Sequence, residues 1–273
     1  GKITTKDIID DNTIVIGGIS YNGMQGTIYR SEDGGDNWEN SLNGNGAFGI
    51  TSICFPSSEI GYACGTYSEG RLLKSIDGGI SWFEIDSPNY YYKPNVFYFF
   101  NEQVGLVGGE DDDYGCYKTF DGGTTWHEIT GGFPPNYVID FAFVDDSTGW
   151  AVLYGGGILK TTDQGENWEI YYELVFDSYS RMKFITDSIG FVLGQKFYET
   201  IDAGLTWYEI AKEYSGSYDN MDIDFPTTQI GYITIEDYET TLIKTIDGGE
   251  TWFPIDFPCT ATATTLAFFN EDE

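Results

Sequence analysis

Basic residues are scarce in this sequence. The chain of 273 residues has 13 Lys and Arg residues against 44 Asp and Glu residues, and its formal net charge is −31. Such a charge repels the phosphates of nucleic acids and the surface of an anionic membrane. We therefore predict no nucleic-acid partner, and cationic partners, metal ions and neutral ligands remain. The acidic residues also keep an aromatic-rich surface soluble.

Long apolar runs are also missing. The longest candidate covers residues 96–100, whereas a membrane-spanning helix needs roughly 20 consecutive apolar residues. We therefore expect no direct membrane insertion. Residues 1–3 do not carry the basic and apolar pattern of a secretory signal, so no targeting segment is present to indicate where the protein acts.

Histidine is almost absent, which restricts the catalytic chemistry that the chain can perform. His127 is the sole histidine, so a serine-type or cysteine-type triad would depend on this one residue. It follows Trp126 at a position that Phe, Glu and Tyr fill elsewhere in the chain, and an ordinary strand face explains it. The glycines form no phosphate-binding loop. We predict no catalytic residue.

Cysteine is infrequent and lacks metal-type spacing such as C-x-x-C. The four cysteines are Cys54, Cys64, Cys116 and Cys259. They fall in or beside apolar, strand-like runs, which favours buried free thiols. Cys54 and Cys64 lie in consecutive predicted strands, so a disulfide between them remains open at this point.

Aromatic residues and glycine, by contrast, are abundant. Aromatic residues make up 17% of the chain, and glycine occurs 35 times. This pairing favours short strands joined by tight turns, whereas helices would require more Ala, Leu and Lys. The composition therefore predicts an all-β protein.

An eight-residue pattern, Ser/Thr-x-Asp-x-Gly-x-x-Trp, occurs six times, and we call each copy a box. Successive box aspartates are 44, 44, 42, 39 and 45 residues apart. This period suits four short strands and their turns. One repeat is therefore predicted to form one blade of a β-propeller, and residues 1–273 to form a single domain. The box aspartates are Asp33, Asp77, Asp121, Asp163, Asp202 and Asp247.

The residue types of the box have physical causes. Each box is predicted to be the hairpin between the third and fourth strands of its blade. The Asp carboxylate can accept backbone N–H groups across the turn, and Gly supplies a positive φ without steric cost. The Trp ring buries a large apolar area where neighbouring elements meet. We therefore predict a structural role for the six aspartates.

The two ends of the chain bear on how the ring closes. Residues 264–271 closely resemble residues 95–102, a predicted first strand, while residues 13–17 and 27–30 read as second and third strands. We therefore predict six four-stranded antiparallel blades closed by the C-terminal strand, which removes exposed sheet edges. Residues 7–9 also precede the predicted second strand by the distance that is expected of a first strand. Residues 1–10 are accordingly a tail or an extra strand, and a truncated seven-bladed ring is the alternative.

At the boxes the sequence resembles the BNR or Asp-box repeat superfamily, from about residue 11 onward. That superfamily includes sialidases, Asp-box glucanases, sortilin-type receptor ectodomains, and photosystem II assembly and stability factors with their bacterial relatives. The short regular period and the second strand before each box, such as residues 60–65, look most like the last group. The resemblance implies protein binding and assembly, and an extracytoplasmic location that is secreted, periplasmic or on the cell surface. Fold analogy supports function only weakly.

The arginine content disfavours the sialidase branch of this superfamily. Sialidases, by resemblance, hold their substrate carboxylate with three arginines, and this chain has only Arg30, Arg71 and Arg181. Arg30 precedes the first box, where four other repeats place lysine. Two arginines are too few for the clamp, since lysine lacks the guanidinium fork.

A hydrolase of neutral glycans would need two carboxylates. Acidic residues are so abundant here that this requirement selects none of them. The acidic segments at residues 111–113 and at Asp219, Asp222 and Asp224 are best explained as solvated loops. They could also bind Ca²⁺ through oxygen ligands, although EF-hand spacing is absent. We otherwise predict no cofactor and no metal.

Tyrosines are concentrated in the links between predicted strands. By resemblance, ligands of such propellers meet the face opposite the boxes, and tyrosine supplies rigid contact area with a hydroxyl group. Our leading hypothesis is a non-enzymatic scaffold that binds a basic protein segment there. The alternative is a glycan-binding or glycan-cleaving propeller. The candidate ligand-binding residues are Tyr67, Arg71, Tyr90, Tyr91, Tyr92, Asp111, Asp112, Asp113, Tyr137, Tyr154, Tyr171, Tyr172, Arg181, Tyr218 and Tyr238.

Overall fold

A computed structural model describes residues 1–20, 25–42, 49–65, 70–89, 91–110, 115–134, 136–173, 179–210, 222–236, 240–255 and 265–266. These residues contain 24 strands and no helix. The strands form six separate sheets, and each sheet has four strands that pair antiparallel in chain order. The all-β fold class and the six four-stranded blades are therefore as the sequence predicts.

Each blade is a meander in which a strand pairs with the next one along the chain. Blade 1 comprises β1 (Lys2–Ile8), β2 (Ile14–Ile19), β3 (Gly26–Ser31) and β4 (Glu39–Asn40). Blade 2 comprises β5 (Ser52–Cys54), β6 (Gly61–Gly65), β7 (Arg71–Ser75) and β8 (Phe83–Ile85). Blade 3 comprises β9 (Lys93–Phe99), β10 (Gly105–Glu110), β11 (Cys116–Thr119) and β12 (His127–Glu128).

The second half of the ring repeats this arrangement. Blade 4 comprises β13 (Val138–Phe143), β14 (Gly149–Leu153), β15 (Gly157–Thr161) and β16 (Glu169–Glu173). Blade 5 comprises β17 (Tyr179–Phe184), β18 (Gly190–Gly194), β19 (Phe197–Thr200) and β20 (Tyr208–Ile210). Blade 6 comprises β21 (Asp222–Asp224), β22 (Gly231–Glu236), β23 (Thr240–Thr245) and β24 (Phe253–Ile255).

A phenylalanine and a glycine lock the first and second strands of five blades together. In blade 3, a Cβ placed on Gly105 would lie 2.4 Å from Phe99 Cδ1. The ring therefore occupies the space of the missing side chain, and any other residue would displace it. The same contact recurs between Phe55 and Gly61, Phe143 and Gly149, Phe184 and Gly190, and Phe225 and Gly231.

The box hairpins share one hydrogen-bond pattern, shown here for blade 2. Ser75 Oγ donates to Asp77 Oδ1 at 2.8 Å and accepts the N–H of Gly79 at 2.8 Å. Asp77 also accepts the backbone N–H of Ser81 at 2.9 Å and its hydroxyl at 2.5 Å. Gly79 has φ 83°, a conformation that glycine adopts without strain. Corresponding bonds centre on Asp33, Asp121, Asp163, Asp202 and Asp247.

The seventh box position was not part of the sequence pattern, although it is always Asn, Ser or Thr. Its side chain and its backbone N–H both reach the box carboxylate, so each carboxylate collects several donors. These donors lower the pKa of every box aspartate, and that of Asp121 falls to about 2. The residues are Asn37, Ser81, Thr125, Asn167, Thr206 and Thr251.

The hydrophobic core lies between neighbouring blades rather than in one central layer. At the junction of blades 3 and 4, buried Leu106 and Cys116 pack with Phe141 and Trp168. The box tryptophan belongs to this cluster, and its ring meets Phe133 edge-on at a centroid distance of 5.4 Å. Clusters of the same kind lie at four further junctions: those of blades 1 and 2, 2 and 3, 4 and 5, and 5 and 6.

The prediction that a C-terminal strand completes blade 1 is wrong. Strand β1, which lies within residues 1–10, fills that place and pairs with β2 from Lys2 to Ile8. The described C-terminal residues lie instead against blade 6, where Leu266 N donates to Asp222 Oδ2 at 2.8 Å. In the same way, Met182 N of blade 5 donates to Asp140 of blade 4. Leu266 therefore holds the place that the next blade's first strand holds elsewhere.

The three described cysteines, Cys54, Cys64 and Cys116, have free thiols. The open question of a disulfide between Cys54 and Cys64 is therefore answered in favour of two thiols. Burial in an apolar environment raises the pKa of Cys54 to about 12 and raises the pKa of the other two thiols further. Such thiols are weak nucleophiles. Cys259 lies outside the described residues.

Candidate functional site

The meander topology places the tyrosine links on the face opposite the boxes. A third strand runs toward its box, so the end of the second strand and the start of the first lie at the other edge of the blade. Tyr137 immediately precedes β13, and Tyr154 immediately follows β14. Both tyrosines therefore lie on the face that the sequence analysis selected for ligand binding.

Four residues line a pocket at the junction of blades 3 and 4 on this face. They are Lys93 and Glu110 from blade 3 and Tyr137 and Tyr154 from blade 4, and the cavity measures about 350 Å³. Tyr154 is 61% exposed, and Tyr137 is half-buried. The pocket therefore offers aromatic area beside one cation and one carboxylate, which is a lining that suits an extended side chain.

Backbone hydrogen bonds hold the two tyrosines in place. Tyr154 N donates to Tyr137 O at 2.8 Å, and Asn136 Nδ2 donates to Tyr154 O at 3.3 Å. The Tyr137 N–H is itself bonded to Asn136 Oδ1 at 2.7 Å. Both rings therefore project from a backbone that hydrogen bonds hold in place, which limits the backbone entropy lost on binding.

The charged pair of the pocket is accessible to solvent. Lys93 Nζ lies 3.1 Å from Glu110 Oε2, and both side chains are about half exposed. The two residues face each other across β9 and β10. An exposed pair of this kind contributes only about 0 to 1 kcal/mol. A ligand can therefore engage either group at small cost.

Neighbouring tyrosines at positions 91 and 92 have opposite environments. Tyr91 is 77% exposed and precedes β9 on the tyrosine face. Tyr92 is 1% exposed, and its hydroxyl donates to Val107 O at 3.0 Å while its ring meets Tyr117 edge-on. The expectation that Tyr92 contacts a ligand is wrong, because adjacent residues of an extended segment point to opposite sides. Tyr92 is part of the core.

Two further candidates lie away from the pocket. Arg71 begins β7 in blade 2, and its Nη1 lies 3.2 Å from Glu84 Oε2. Tyr171 packs at a blade junction, where its hydroxyl is buried and Lys160 Nζ lies 4.7 Å from the centre of its ring. Arg71 thus stays on the tyrosine face, whereas Tyr171 does not present its hydroxyl there.

The remaining tyrosine and aspartate candidates lie outside the described residues. For Tyr172 the structure describes the strand but not the side chain. The predicted candidates without a described position are Tyr67, Tyr90, Asp111, Asp112, Asp113, Tyr218 and Tyr238.

Arg181 lies in a polar channel that the first strands of the blades surround. A cavity of about 190 Å³ there is lined by Arg181, Lys6, Asp140 and Asp222 together with hydroxyl and amide side chains. Lys6 Nζ lies 2.7 Å from Asp222 Oδ2. Arg181 Nη2 donates to Thr4 O at 3.2 Å, and its Nε lies 3.8 Å from Asp222 Oδ1. Arg181, which the sequence predicts to bind a ligand, therefore lines this channel and not the tyrosine pocket.

The channel carboxylates have different electrostatic surroundings. Burial disfavours the charged form of Asp222, but Lys6 and Arg181 outweigh it and lower its pKa. Burial raises the pKa of Asp140, although Arg181 and backbone N–H groups oppose this. Asp224, another acid considered for glycan hydrolysis, pairs with Lys183 at 3.1 Å. These groups join the first strands of blades 1, 4, 5 and 6 and are engaged by the protein itself.

Neither a metal centre nor a membrane span is visible in the part of the chain that the structure describes. No group of three or more His, Cys, Asp or Glu side chains is arranged there to hold a metal ion. The same residues include no helix that is long and apolar enough to cross a membrane.

The six sheets and the tyrosine pocket define a six-bladed β-propeller with four-stranded blades and a ligand-sized recess on one face. No protein-family model and no curated protein matches the sequence. Solved structures do share the fold. The chain is similar to YCF48 bound to a D1 peptide, with 18% identity, a TM-score of 0.72, and coverage of 92% of this chain and 81% of that one.

Two further structures extend the comparison. YCF48 from Cyanidioschyzon merolae is 16% identical with a TM-score of 0.69, and the match covers 93% of this chain and 84% of that one. The GH74 enzyme of Niastella koreensis is 16% identical with a TM-score of 0.75. That match covers 93% of this chain but only 45% of the enzyme, so this chain spans about half of it. At these identities the comparisons establish the fold alone.

Proposed function

We propose that this protein is a non-enzymatic scaffold that binds a protein segment through the tyrosine face opposite the boxes. The pocket at the junction of blades 3 and 4 carries the proposal, because it combines Tyr137 and Tyr154 with the exposed pair of Lys93 and Glu110. Two aromatic rings supply contact area, and the charged groups supply orientation. An extracytoplasmic location belongs to the same proposal.

The preferred partner is a segment with basic residues. A net charge of −31 attracts cationic segments and speeds their association at low ionic strength. Within the pocket, a guanidinium can stack on Tyr154 while it pairs with Glu110 in place of Lys93. The weak pair of Lys93 and Glu110 costs little to exchange.

The comparisons support a peptide ligand without establishing it. One structure of similar fold is described as YCF48 bound to a D1 peptide, so a propeller of this architecture can hold a peptide. The identity of 18% carries no residue-level correspondence. The geometry of this chain's own pocket therefore remains the main support.

A peptide array with basic, neutral and acidic segments tests the proposal. Tyr154→Ala combined with Tyr137→Ala should weaken binding of the best basic peptide by about tenfold or more, as truncation of aromatic anchors does. The matched control is Tyr29→Ala, which removes an exposed tyrosine from β3 of blade 1, away from the pocket. The control should bind normally. Equal weakening by both variants, or no preference for basic peptides, would contradict the proposal.

A glycan ligand is the second candidate, favoured by the similarity in fold to the GH74 enzyme. Tyrosine rings also stack on sugars. Hydrolysis, however, requires two carboxylates, and Glu110 is the one carboxylate among the four pocket-lining residues. Incubation with xyloglucan and measurement of reducing ends separates the cases. New reducing ends would replace the scaffold proposal with a hydrolase.

A further inference from the structure

The boxes expose apolar side chains that take no part in the hydrogen bonds of the hairpin. The second and sixth positions of a box point to solvent in all six copies. In blade 2 they are Ile76 and Ile80, exposed by 59% and 58%, and in blade 5 they are Ile201 and Leu205, exposed by 62% and 64%. Aliphatic side chains at this exposure gain little from burial in the folded monomer.

The fold does not need apolar residues at these positions. Blade 1 has Glu32 and Asp36 there, and blade 4 has Thr162 and Glu166. Both boxes nevertheless keep the same carboxylate-centred hydrogen bonds. Stability of the hairpin therefore does not explain the aliphatic pairs of blades 2 and 5.

The apolar positions follow a regular order around the ring. Blades 1 and 4 are polar at both positions, blades 2 and 5 are aliphatic at both, and blades 3 and 6 are apolar only at the second, with Phe120 and Ile246. The fourth strands add exposed Phe83 to blade 2 and exposed Tyr208 to blade 5, whereas the fourth strands of blades 4 and 6 expose Ile170 and Phe253 without an aliphatic pair in the box. Two apolar patches thus lie three blades apart on the box side. Clustered exposed apolar residues mark interaction surfaces.

The charges beside the patches identify the kind of partner. Hydrogen bonds from neighbouring turn residues lower the pKa of Asp77, Asp202 and Asp247, so these box carboxylates are ionised at neutral pH. Glu250 is exposed on the blade 6 box. Apolar residues framed by negative charge complement a segment that has an apolar stripe and flanking Lys or Arg residues. A second copy of this chain, at a net charge of −31, would be repelled.

We propose that the two box-side patches, Ile76, Ile80 and Phe83 in blade 2 and Ile201, Leu205 and Tyr208 in blade 5, form a second interface that binds amphipathic basic protein segments. This interface is separate from the tyrosine pocket, because the boxes and the pocket lie at opposite ends of the third strands. The protein then joins two partners, one on each face.

The test uses a variant that changes polarity without changing charge or fold. Ile76→Thr, Ile80→Thr, Ile201→Thr and Leu205→Thr introduce a residue that Thr162 and Thr124 already supply at the same box positions. The probe is a synthetic peptide of Leu and Lys in amphipathic helical order. A peptide of the same composition in shuffled order controls for charge.

Calorimetric titration at physiological ionic strength should show that the amphipathic peptide binds the wild-type protein. The fourfold variant should bind it with an affinity that is lower by about tenfold or more. Ile170→Thr, which changes an exposed isoleucine of blade 4 outside both patches, should leave this affinity unchanged. The fourfold variant keeps the tyrosine pocket and should still bind the best basic peptide of the array, which separates the result from the proposed function. Equal binding of the shuffled peptide would overturn the proposal in favour of charge alone. Sedimentation that shows a wild-type dimer lost in the variant would overturn it in favour of self-association.

Discussion

Asp7 illustrates how one carboxyl group can make stability depend on pH. Its Oδ2 accepts the N–H of Phe55 at 2.6 Å, and its Oδ1 accepts the N–H of Ile8 at 2.9 Å. Burial nevertheless raises the pKa of Asp7 from 3.8 to about 6, against the opposing effects of these bonds and of Lys6. The folded protein therefore binds this proton more tightly than the unfolded chain does.

We predict that Asp7→Asn alters the pH profile of stability in one window. The raised pKa of Asp7 means that its favourable contribution is complete below about pH 4 and is lost as pH rises through about 6. Relative to Asp7→Asn, the wild-type protein should lose about 2 to 3 kcal/mol across this window. Urea unfolding at a series of pH values measures the difference.

Asp145→Asn serves as the control with the opposite sign. Hydrogen bonds from Ser147 and Thr148 lower the pKa of Asp145 to about 2, so its contribution is present above about pH 4 and is lost as the pH falls through 2. The Asp145 variant should therefore differ most from wild type at neutral pH. A flat difference for Asp7→Asn between pH 4 and 6 would contradict the assignment.

At the scale of the hairpin, the hydroxyl group of the first box residue makes two hydrogen bonds that stabilise the turn. Thr161 Oγ1 donates to Asp163 Oδ1 at 2.9 Å and accepts the N–H of Gly165 at 3.0 Å. Both Thr161 and Gly165 are buried. A buried N–H without a partner is costly.

Thr161→Ala should lower the free energy of unfolding by about 1 to 3 kcal/mol, because it leaves the Gly165 N–H without its acceptor. Thr161→Ser keeps the hydroxyl, as Ser31 and Ser75 do in blades 1 and 2, and should cost clearly less. Chemical denaturation of both variants gives the comparison. Equal losses would show that the methyl group, rather than the hydrogen bond, stabilises the hairpin.

In blades 1, 2 and 3, the residue before the box connects one blade to the next. Arg30 donates to Gly78 O at 2.8 Å, Lys74 to Gly122 O at 2.7 Å, and Lys118 to Gln164 O at 2.9 Å. Blade 5 has Glu199 at this position. Burial, together with Glu250 and Asp247 of the next blade, raises the pKa of Glu199. The junction of blades 5 and 6 thus has an acid where the first three junctions have a hydrogen-bond donor.

We predict that Glu199→Lys stabilises the protein. A lysine here can donate to the next box, as Lys74 does, and it removes repulsion from two carboxylates. A gain near 1 kcal/mol corresponds to roughly 2 to 4 °C in the melting temperature. Glu199→Gln, which removes the charge only, should gain less. Scanning calorimetry at neutral pH checks both, and a lower melting temperature for Glu199→Lys would contradict the prediction.

On the scale of the whole molecule, the channel cluster joins distant parts of the chain. Lys6 of blade 1 contacts Asp222 of blade 6 and also donates to Thr265 Oγ1 at 2.9 Å. Asp222 is almost fully buried, so its charge depends on its cationic partners. The cluster therefore ties the two ends of the ring to each other.

Lys6→Met should destabilise the ring by roughly 3 kcal/mol, because it removes the nearer of the two cations beside buried Asp222, Lys6 at 2.7 Å and Arg181 at 3.8 Å. Lys93→Met is the matched control, since Lys93 has an exposed partner and its loss should cost less than about 1 kcal/mol. Adding Asp222→Asn to Lys6→Met should recover part of the loss. If the double variant lost as much unfolding free energy as the two single variants lost together, or more, the ionic explanation would fail.

The sequence by itself determined the β-class, the six repeats and the identity of their hairpins. These follow from local rules: a carboxylate, a glycine and a tryptophan at fixed spacing allow one turn geometry, and a Phe facing a Gly fixes two adjacent strands. The sequence also placed Tyr137 and Tyr154 on one face, because a four-strand meander alternates direction at every turn.

Only the tertiary structure decided the features that depend on contacts between distant segments. The strand Lys2–Ile8 and residues 264–271 both read as first strands, and only three-dimensional packing assigns blade 1 to the former. Tyr92 lies in the core and Tyr91 lies on the surface, because neighbouring side chains of an extended segment point to opposite sides. Arg181 met Lys6 and Asp222 in the channel because ring closure brings together charges that no local pattern relates, and burial makes their pairing necessary.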